Sequence, residues 1–403
     1  MKGKTRHDFF YRLTRNLCRL PLILKFNYKF DKIKVNHSPY IVAVNHLTNW
    51  DPVLVGLSFR KSMYYVASDH IMRMGLLSKF IEFAISPIFR VRTTQETQTV
   101  ITLFRRLKEK CNVCIFIEGT TSFDGKTGAV QPSIGKLAKK TGAALVTYRF
   151  IGSYFTFARW ARFPHKGKME GRLVQIYSPE KIAAMTEDEI YQAIKKDIYV
   201  NAYDEQEKNP IAYRGKKPAE YLETVLYCCP KCRKIGTLAS RNDTLSCVCG
   251  FKVRYNEFCY FEIPVTSAGK TSASESSPHE KNAEAPFKTI TDWVKWEREE
   301  LDIIASNNSD AQIPVFSDED QQLYEITRVS HNTLISDGKL CMYKDRLSVD
   351  TTVIMFDEII EMGVITMKTI IFAAKNKTYE IHSKHPRSAL KYMDMFNAIK
   401  SKK

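Results

Sequence analysis

Two polar segments, each placed directly after a run of apolar residues, carry the side chains that could do chemistry. In the first, Asn45-His46 follows Tyr40–Val44, and Asp51 comes five positions after His46. A carboxylate held against one imidazole nitrogen fixes the tautomer and stabilises the imidazolium, which leaves the other nitrogen to accept a proton from a hydroxyl. We therefore predict His46 as a general base with Asp51 as its partner. Alternatively, Asp51 is only the N-cap of a helix that has Pro52 at its first position.

The second polar segment follows another apolar run, Val113–Ile117. Glu118-Gly-Thr-Thr-Ser122 combines a carboxylate and two threonine hydroxyls with a glycine that permits close backbone approach. In a parallel sheet the carboxyl ends of the strands line one crevice, so we expect this segment and the His46 segment to meet there. Either segment alone is compatible with an ordinary polar turn. Two of them in one sheet-forming region favour a single site.

The region that contains both segments alternates short apolar runs with helical patterns. Strands spaced by helices predict an α/β fold with a largely parallel sheet flanked by helices. We also expect residues 186–224 to be helical and polar. The predicted strands are Tyr40–Val44, Met63–Val66, Ile88–Val91, Val113–Ile117, Ala143–Phe150 and Leu173–Tyr177, and the predicted helices include Glu96–Lys110 and Ser133–Lys140.

These segments resemble the sequence blocks of the glycerolipid acyltransferase family typified by 1-acylglycerol-3-phosphate (lysophosphatidate) O-acyltransferases. The first block of that family is Asn-His-x4-Asp, and the third is Phe-Pro-Glu-Gly-Thr-Arg-Ser. The second is an apolar strand ending in arginine, and the fourth is an apolar strand that usually contains proline. The resemblance extends over about residues 10–205. The similar residues, block by block, are Asn45, His46 and Asp51; Ile88–Arg92; Phe116–Ser122; and Ala144–Tyr148 with Gly152-Ser153.

The resemblance implies a reaction in which a fatty acyl group moves from a thioester to the free hydroxyl of a lysophospholipid. His46 would deprotonate the hydroxyl, which attacks the thioester directly without an acyl-enzyme, and Asp51 would orient the imidazole. The donor would be acyl-CoA or an acyl carrier protein. The acceptor would be a membrane lipid. The resemblance favours 1-acylglycerol-3-phosphate, and the product would then be phosphatidate.

The same resemblance implies how the acceptor is held. Glu118, Gly119 and Thr120 would position its headgroup, and Arg92 would pair with its phosphate. This chain has Thr121 where the family has an arginine associated with that phosphate. The reaction type is therefore better supported than the acceptor headgroup.

Two further differences from the family's sequence blocks leave a second interpretation of the function open. Ile117 stands where the family has proline, and the fourth block lacks its proline. A catalytically weak lipid-binding or regulatory homologue is therefore an alternative to an active enzyme.

Five of the ten cysteines fall within residues 228–249 and predict a metal site rather than disulfides. Cys229-Pro-Lys-Cys232 has the spacing of a zinc knuckle, and Cys247-Val-Cys249 followed by Gly250 fits a second one, although Cys-x-Cys is not the usual spacing. The pattern resembles a zinc ribbon with one structural Zn bound by these four sulfurs, and Cys228 is a spare or alternate ligand. The remaining cysteines, Cys18, Cys111, Cys114, Cys259 and Cys341, are interpreted as core residues.

The formal charge of +17 indicates a polyanionic partner, either nucleic acid or an anionic membrane surface. Residues 1–40 contain ten Lys or Arg and two Asp or Glu, and the basic residues alternate with apolar ones at helical spacing. A basic amphipathic helix of this kind is typical of a membrane interface, which favours lipid over nucleic acid. No apolar run reaches the roughly 18 to 20 residues of a membrane span, and no signal peptide is recognised. We expect a peripheral or monotopic protein on the cytoplasmic face of a membrane.

Composition divides the chain into five predicted segments. They are an interface segment, the acyltransferase domain, a zinc-ribbon-like module, a flexible linker rich in Ser, Ala, Lys and Glu, and a helix followed by a strand-rich domain that resembles pleckstrin-homology or GRAM-like domains. A generic strand-rich interaction domain is the alternative for the last. Trp293 and Trp296 in its first helix are membrane anchors or, more often at this spacing, a packing face. The boundaries are residues 1–35, 36–225, 226–264, 265–286 and 287–403.

Overall fold

The fold was obtained as a computed structural model that describes residues 2–68, 76–90, 96–264, 284–307, 312–326 and 332–402. The described residues form two compact units. The first contains Met1–Arg159 and Lys166–Ile211, and the second contains Trp160–His165, Ala212–Ile326 and Asn332–Lys403. Most of the predicted linker, and Arg92, lie outside the described residues.

The first unit is built on a seven-stranded sheet with helices around it. The strands follow the order β1-β7-β6-β2-β5-β3-β4, and every pairing except β6 with β7 is parallel. The predicted α/β fold with a largely parallel sheet is thus confirmed. Its strands are β1 Tyr28–Phe30, β2 Tyr40–Val44, β3 Met63–Ser68, β4 Ile88–Arg90, β5 Asn112–Phe116, β6 Ala144–Ile151 and β7 Met169–Tyr177. Its helices are α1 Lys2–Phe26, α2 Asp51–Ser58, α3 Leu76–Ile85, α4 Glu96–Lys108, α5 Ser133–Thr141, α6 Ser153–Thr156, α7 Pro179–Ala184, α8 Glu187–Ile198 and α9 Ala202–Lys208.

Strand β2 lies in the middle of this sheet because every one of its side chains is apolar and can be covered on both faces. All five residues of β2 are buried. Helix α8 covers part of the sheet with Ile190, Ile194 and Ile198, whose spacing of four residues places them on one helical face, and all three are fully buried. Thr186 begins that helix with a capping box.

The structure differs from the sequence-based prediction in two places in this unit. Strand β7 begins at Met169 because its first residues pair with the short strand β1, which the sequence did not predict. The predicted helical region 186–224 was wrong beyond Lys208, since only the short 3-10 turn Leu222–Thr224 follows. Pro210 and Pro218 interrupt the helical pattern there because proline lacks the backbone N–H.

The second unit contains the cysteine segment and the strand-rich C-terminal region, and both of its sheets are antiparallel. A four-stranded sheet has the order β11-β10-β9-β8, and a seven-stranded sheet has the order β15-β14-β13-β12-β18-β17-β16. The strand-rich region followed by a helix is as predicted. The elements are β8 Leu238–Arg241, β9 Thr244–Cys247, β10 Lys252–Tyr255, β11 Phe261–Glu262, α10 Ile290–Asn307, β12 Phe316–Ile326, β13 Asn332–Met342, β14 Arg346–Val349, β15 Thr352–Met355, β16 Ile359–Thr366, β17 Thr369–Ala374, β18 Lys377–Ser383 and α11 Leu390–Lys400.

Candidate active site and metal site

The end of strand β2 presents His46 to a fully buried carboxylate. His46 Nδ1 lies 2.9 Å from Asp51 Oδ2, and the Asp51 side chain is not exposed at all. The same carboxylate accepts hydrogen bonds from the backbone N–H groups of Leu47 and Thr48 at 2.7 and 2.9 Å, and from the Thr48 hydroxyl at 2.7 Å. These donors compensate the buried charge, so Asp51 can hold the imidazole with its proton on Nδ1.

The predicted N-cap role of Asp51 was wrong. Helix α2 begins at Asp51 itself, and its N-cap residue is Trp50, which makes no side-chain capping bond. The Asp51 carboxylate turns back onto the preceding loop instead of covering the helix end. The residue therefore serves the His46 turn rather than the helix.

The imidazole of His46 is also held from the side. Its ring stacks on Phe116, the last residue of β5, with the ring centroids 4.4 Å apart. The His46 side chain keeps an exposure of 19%. The imidazole is thus fixed by an aromatic face and a carboxylate while it remains reachable from outside.

Asn45 has a structural task in the same loop. Its Nδ2 donates to Phe150 O at 3.1 Å, and Phe150 N donates to Asn45 Oδ1 at 2.8 Å. The side chain thus continues the pairing of β2 with β6 past the last strand residue, Val44. Asn45 fixes the point at which the chain leaves the sheet and so the position of the next residue, His46.

Glu118 joins the loops that follow β2 and β5. Its Oε1 accepts from His46 N at 2.6 Å, and its Oε2 accepts from Gly128 N at 2.6 Å. Ser122 N also donates to His46 O at 2.9 Å. Burial raises the pKa of Glu118 to about 8, although both backbone bonds oppose the shift. Both carboxyl oxygens thus accept hydrogen bonds from the protein backbone. This arrangement suits a residue that positions the loops.

Gly119 adopts a backbone that favours glycine, with φ at +70°. Its N–H donates to Phe116 O at 3.1 Å. A methyl group at this position would lie 2.5 Å from Arg90 Nη1, so the guanidinium of Arg90 packs directly on the Gly119 backbone. The family resemblance pointed to Arg92 as the phosphate-binding arginine of this strand; Arg92 lies outside the described residues.

A second arginine, Arg159, contacts the same loop. It lies outside the four sequence blocks of the resembled family. Arg159 Nη1 donates to Thr120 Oγ1 at 3.0 Å and to Thr121 O at 3.2 Å. Its guanidinium lies over the Phe123 ring, 4.0 Å from the centroid. Sequence reasoning missed Arg159 because nothing in its local pattern distinguishes it from other basic residues.

The four predicted zinc ligands lie together in the second unit. Cys229, Cys232, Cys247 and Cys249 have their sulfur atoms within 4.8 Å of one another, with Cys229 and Cys249 3.6 Å apart and Cys232 and Cys247 3.7 Å apart. Four thiolates at Zn–S bonds of about 2.3 Å in a tetrahedron would be about 3.8 Å apart. The residues therefore fit a zinc ion. Cys228 is not in this group, and its thiol faces Arg233 O instead.

The turn after β9 accommodates the unusual Cys-x-Cys spacing. Gly250 has φ at +85°, and its N–H donates to Cys247 O at 3.0 Å. This tight turn brings Cys249 back toward Cys247. A hydroxyl from Thr237 lies 3.2 Å from Cys247 Sγ, as an outer partner of a metal-binding thiolate would.

Helix α10 supports the first cysteine turn within the second unit. The backbone N–H groups of Tyr227 and Cys228 both donate to Glu297 Oε1 at 2.6 Å, and Trp293 Nε1 donates to Cys228 O at 3.1 Å. Trp293 is almost fully buried, and its ring packs against Phe261. Of the two interpretations of Trp293, packing residue or membrane anchor, the structure supports the first.

Comparison with known proteins agrees with the resemblance in sequence. A family profile described as "Acyltransferase" matches residues 25–151, a range that includes His46, Asp51 and Glu118. The chain therefore contains an acyltransferase domain. Among solved structures, the chain is similar to the crystal structure of the 1-acyl-sn-glycerophosphate (LPA) acyltransferase PlsC from Thermotoga maritima, with 18% identity and a TM-score of 0.39, over 46% of this chain and 77% of that one. No curated protein sequence matches the chain.

Proposed function

We propose that this protein transfers a fatty acyl group from an acyl thioester, acyl-CoA or acyl carrier protein, to the free hydroxyl of a lysophospholipid. The acceptor we favour is 1-acylglycerol-3-phosphate, which would give phosphatidate. The observation that carries the proposal is the His46–Asp51 pair, with 2.9 Å between Nδ1 and Oδ2, inside a segment that matches an acyltransferase profile.

In the proposed reaction, His46 first accepts a proton from the acceptor hydroxyl and later gives it to the leaving thiolate. With its proton on Nδ1 toward Asp51, His46 accepts the hydroxyl proton on Nε2, and the acceptor oxygen attacks the thioester carbonyl. The tetrahedral intermediate then expels the thiolate, which takes the proton back from His46. A C–O bond replaces a C–S bond, no acyl-enzyme forms, and the imidazole is regenerated.

The loop after β5 would keep the acceptor next to the base. Glu118 hydrogen-bonds to the backbone of His46, so any displacement of this loop also displaces the imidazole. Gly119 is exposed and Thr120 is half-buried, so both are available to a headgroup. We propose that Glu118 acts through loop position and that Gly119 and Thr120 line the acceptor site.

Helices α1 and α3 support a membrane-bound location for this reaction. Along α1, one apolar face is exposed to solvent, formed by Phe9, Leu13, Leu17, Leu20 and Leu24. Phe80 and Phe83 of α3 are also exposed and meet the ring of Phe10 edge-on. No helix in the described part of the chain is both long and apolar enough to cross a bilayer. We propose that this surface lies in the interface of an anionic membrane, on its cytoplasmic face.

The four-cysteine cluster would hold a structural zinc ion. Cys229, Cys232, Cys247 and Cys249 supply four thiolates and so leave no open coordination position for a reacting group. The metal would stabilise the fold of its module and take no part in acyl transfer.

One observation favours a second candidate function. Thr121 stands where the resembled family has a phosphate-associated arginine, which would suit a catalytically weak lipid-binding homologue. A nucleic-acid-binding protein is less favoured, because the basic residues of α1 share that helix with its exposed apolar face.

Acyl transfer to a panel of lysolipids from a thioester donor tests the proposal. We expect His46→Ala to abolish transfer and Asp51→Asn to reduce kcat by roughly 10³- to 10⁴-fold, because an amide cannot hold the imidazole tautomer. Asp188→Asn, at an exposed position of α8, is the matched control and should transfer like the wild type. Full activity in His46→Ala would refute the mechanism, and wild-type binding of lysolipid without transfer would favour the regulatory homologue.

A further inference from the structure

Helix α1 has two opposite sides, and each suits a different neighbour. At 3.6 residues per turn, the exposed apolar residues of α1 lie on one side of the helix. The residues half a turn away face the rest of the first unit, and they are His7, Tyr11, Arg15, Leu22 and Phe26. Three of them, His7, Leu22 and Phe26, are almost fully buried. The helix can therefore contact a lipid surface and the first unit at the same time.

The inward side of α1 holds the C-terminal end of α2. The Tyr11 hydroxyl donates to Gly56 O at 3.2 Å and to Phe59 O at 3.4 Å. Arg15 Nη1 also donates to Phe59 O, at 3.2 Å. The last carbonyl groups of a helix have no partner within that helix, and α2 has no basic residue in its own last turn. Arg15 therefore supplies a hydrogen bond and a positive charge at the negative end of the α2 dipole.

The last turn of α1 contacts the other end of α2. The Phe26 ring packs against the Trp50 ring with the centroids 5.9 Å apart, and Lys25 Nζ lies 4.6 Å from the Trp50 centroid. Trp50 is the N-cap residue of α2, and its carbonyl oxygen accepts the first backbone hydrogen bonds of the helix. Asp51 follows immediately. Helix α1 thus contacts α2 at both ends.

Helix α2 depends on such contacts because it is short. It has eight residues, and a helix of that length is marginal without tertiary packing. Its first residue is Asp51, whose carboxylate lies 2.9 Å from His46 Nδ1. Any fraying or shift of α2 would therefore displace the carboxylate that orients the imidazole.

A lipid surface would stabilise the form of α1 that makes these contacts. Only a helical α1 gathers its apolar residues on one side. Only a helical α1 also brings Tyr11 and Arg15, which are four positions apart, to the same end of α2. A ligand shifts an equilibrium toward the state that it binds better. Lipid binding and support of α2 thus favour the same conformation.

We propose that α1 couples membrane binding to catalysis. Its apolar side binds an anionic lipid surface, while its opposite side fixes both ends of α2 and so the Asp51–His46 pair. Tyr11, Arg15 and Trp50 are positioning residues in this mechanism. The coupling rests on the proposed acyl transfer and on the proposed membrane contact of α1, but the effect of lipid on α2 can be tested without any transfer.

The first experiment measures hydrogen–deuterium exchange of the α2 amides in the full chain by mass spectrometry, with and without phosphatidylglycerol vesicles. Neither lysolipid nor thioester is present. We expect the vesicles to slow exchange in α2 of the wild type roughly tenfold. The double variant Tyr11→Phe/Arg15→Gln should still float with the vesicles, because its apolar side is intact, but should lose this slowing. Exchange in α8 should be the same in all samples, which shows that the fold is retained.

Arg12→Gln is the matched control for that experiment. It removes the same charge from α1 as Arg15→Gln does, but Arg12 is exposed. Vesicles should slow exchange in α2 of this variant as in the wild type. Vesicle binding that leaves exchange in α2 of the wild type unchanged overturns the proposal, and so does undiminished slowing in Tyr11→Phe/Arg15→Gln.

The second experiment measures acyl transfer to a short-chain lysophosphatidate that stays monomeric in water, with and without acceptor-free phosphatidylglycerol vesicles. At saturating acceptor, the vesicles should raise kcat of the wild type and of Arg12→Gln roughly tenfold. The increase should be lost in Tyr11→Phe/Arg15→Gln and in Trp50→Ala. Trp50→Phe should recover part of it, because an aromatic ring remains against Phe26.

The two experiments separate the coupling from the proposed function. Transfer by the wild type at the same kcat with and without vesicles overturns the coupling and leaves acyl transfer in place. An inactive wild type whose exchange in α2 is still slowed by vesicles contradicts acyl transfer but supports the coupling. A lower kcat in Tyr11→Phe/Arg15→Gln with an unchanged response to vesicles indicates a merely structural contact and also overturns the coupling.

Discussion

Asp51 concentrates four hydrogen bonds on one buried carboxylate, and only one of them comes from His46. The other three come from the backbone of Leu47 and Thr48 and from the Thr48 hydroxyl. A buried charge needs such donors, since removing a carboxylate from water without them costs several kcal/mol. The loop between base and acid therefore makes the pair possible, and its sequence is as much a part of the site as the two side chains.

Glu118 should make stability depend on pH. Its pKa is raised from 4.5 to about 8, because burial outweighs the backbone bonds from Gly128 and His46. Between these values the unfolded chain has lost the proton that the folded protein keeps, so the free energy of unfolding falls as pH rises, by about 1.4 kcal/mol per pH unit. This contribution is complete below the unfolded pKa and lost above the folded one. Urea unfolding midpoints at about pH 5 and about pH 8 measure it.

The Glu118→Gln variant isolates that effect. Its side chain stays neutral throughout, so the fall in midpoint between the two pH values should be smaller than in the wild type. Glu187→Gln, at an exposed position of α8, should keep the wild-type dependence. An identical pH dependence in all three proteins would contradict the raised pKa of Glu118.

The position of the base depends on where strand β2 stops. Asn45 extends the β2–β6 pairing by two side-chain hydrogen bonds to Phe150, while β5 on the other side of β2 supplies Phe116 beneath the imidazole. Because parallel strands end at one edge, the neighbours of β2 place their own terminal residues around His46. A rigid sheet thus supplies the precision that a loop alone would lack.

Helix α1 should bind membranes through its exposed apolar face. Leu17 and Leu20 are 66% and 64% exposed, so replacing both with glutamine should leave the melting temperature unchanged. Each buried leucine contributes roughly 1.5–3 kcal/mol, so the double variant should bind anionic vesicles at least roughly tenfold more weakly. Vesicle flotation measures the difference.

Ile360→Gln is the matched control for that test, because Ile360 is 63% exposed on strand β16 of the second unit. It should float like the wild type. Loss of flotation in Ile360→Gln but not in the α1 variant would assign membrane binding to the C-terminal strands and refute the role of α1.

In the second unit, the cysteine cluster and helix α10 form one connected arrangement. Glu297 and Trp293 bond to the backbone of Tyr227 and Cys228, immediately before the first predicted ligand, Cys229. The Tyr227 hydroxyl also donates to Asp394 of α11 at 3.0 Å. A metal that fixes the cysteine turn would therefore also stabilise the packing of both helices.

Loss of zinc should destabilise this unit measurably. We expect about one zinc per chain in the wild type, and none in Cys232→Ser, with a lower thermal transition and an altered tryptophan emission because Trp293 contacts the cysteine turn. Elemental analysis and fluorescence melting test this. Cys18→Ser, in α1 and outside the cluster, should keep both the metal and the transition. Equal zinc content in the wild type and Cys232→Ser would contradict the site.

Local pattern was enough to predict several features of this protein. The alternation of apolar runs with helical periods indicated the parallel sheet, and β2 was predicted with its observed bounds. His46 and Asp51 are close together in the sequence, and so are the four cysteines, so their spacings could be recognised directly. Such features depend on residues that are close together in the sequence, so they can be recognised from local spacing and periodicity.

Features that depend on distant partners were not accessible in this way. The parallel sheet predicted that the Glu118 and His46 segments meet, but not that the Glu118 carboxylate accepts from His46 N across 72 positions. The contact of Arg159 with Thr120 across 39 positions was not predicted at all. Strand β12 was not recognised, because its polar residues form a strand only through pairing with β13 and β18. The order of strands in a sheet decides which ends become neighbours, and no local period encodes that order. The sequence therefore contained the proposed base, its carboxylate partner and the candidate metal ligands, whereas the contact of Arg159 with Thr120 emerged only from the folded chain.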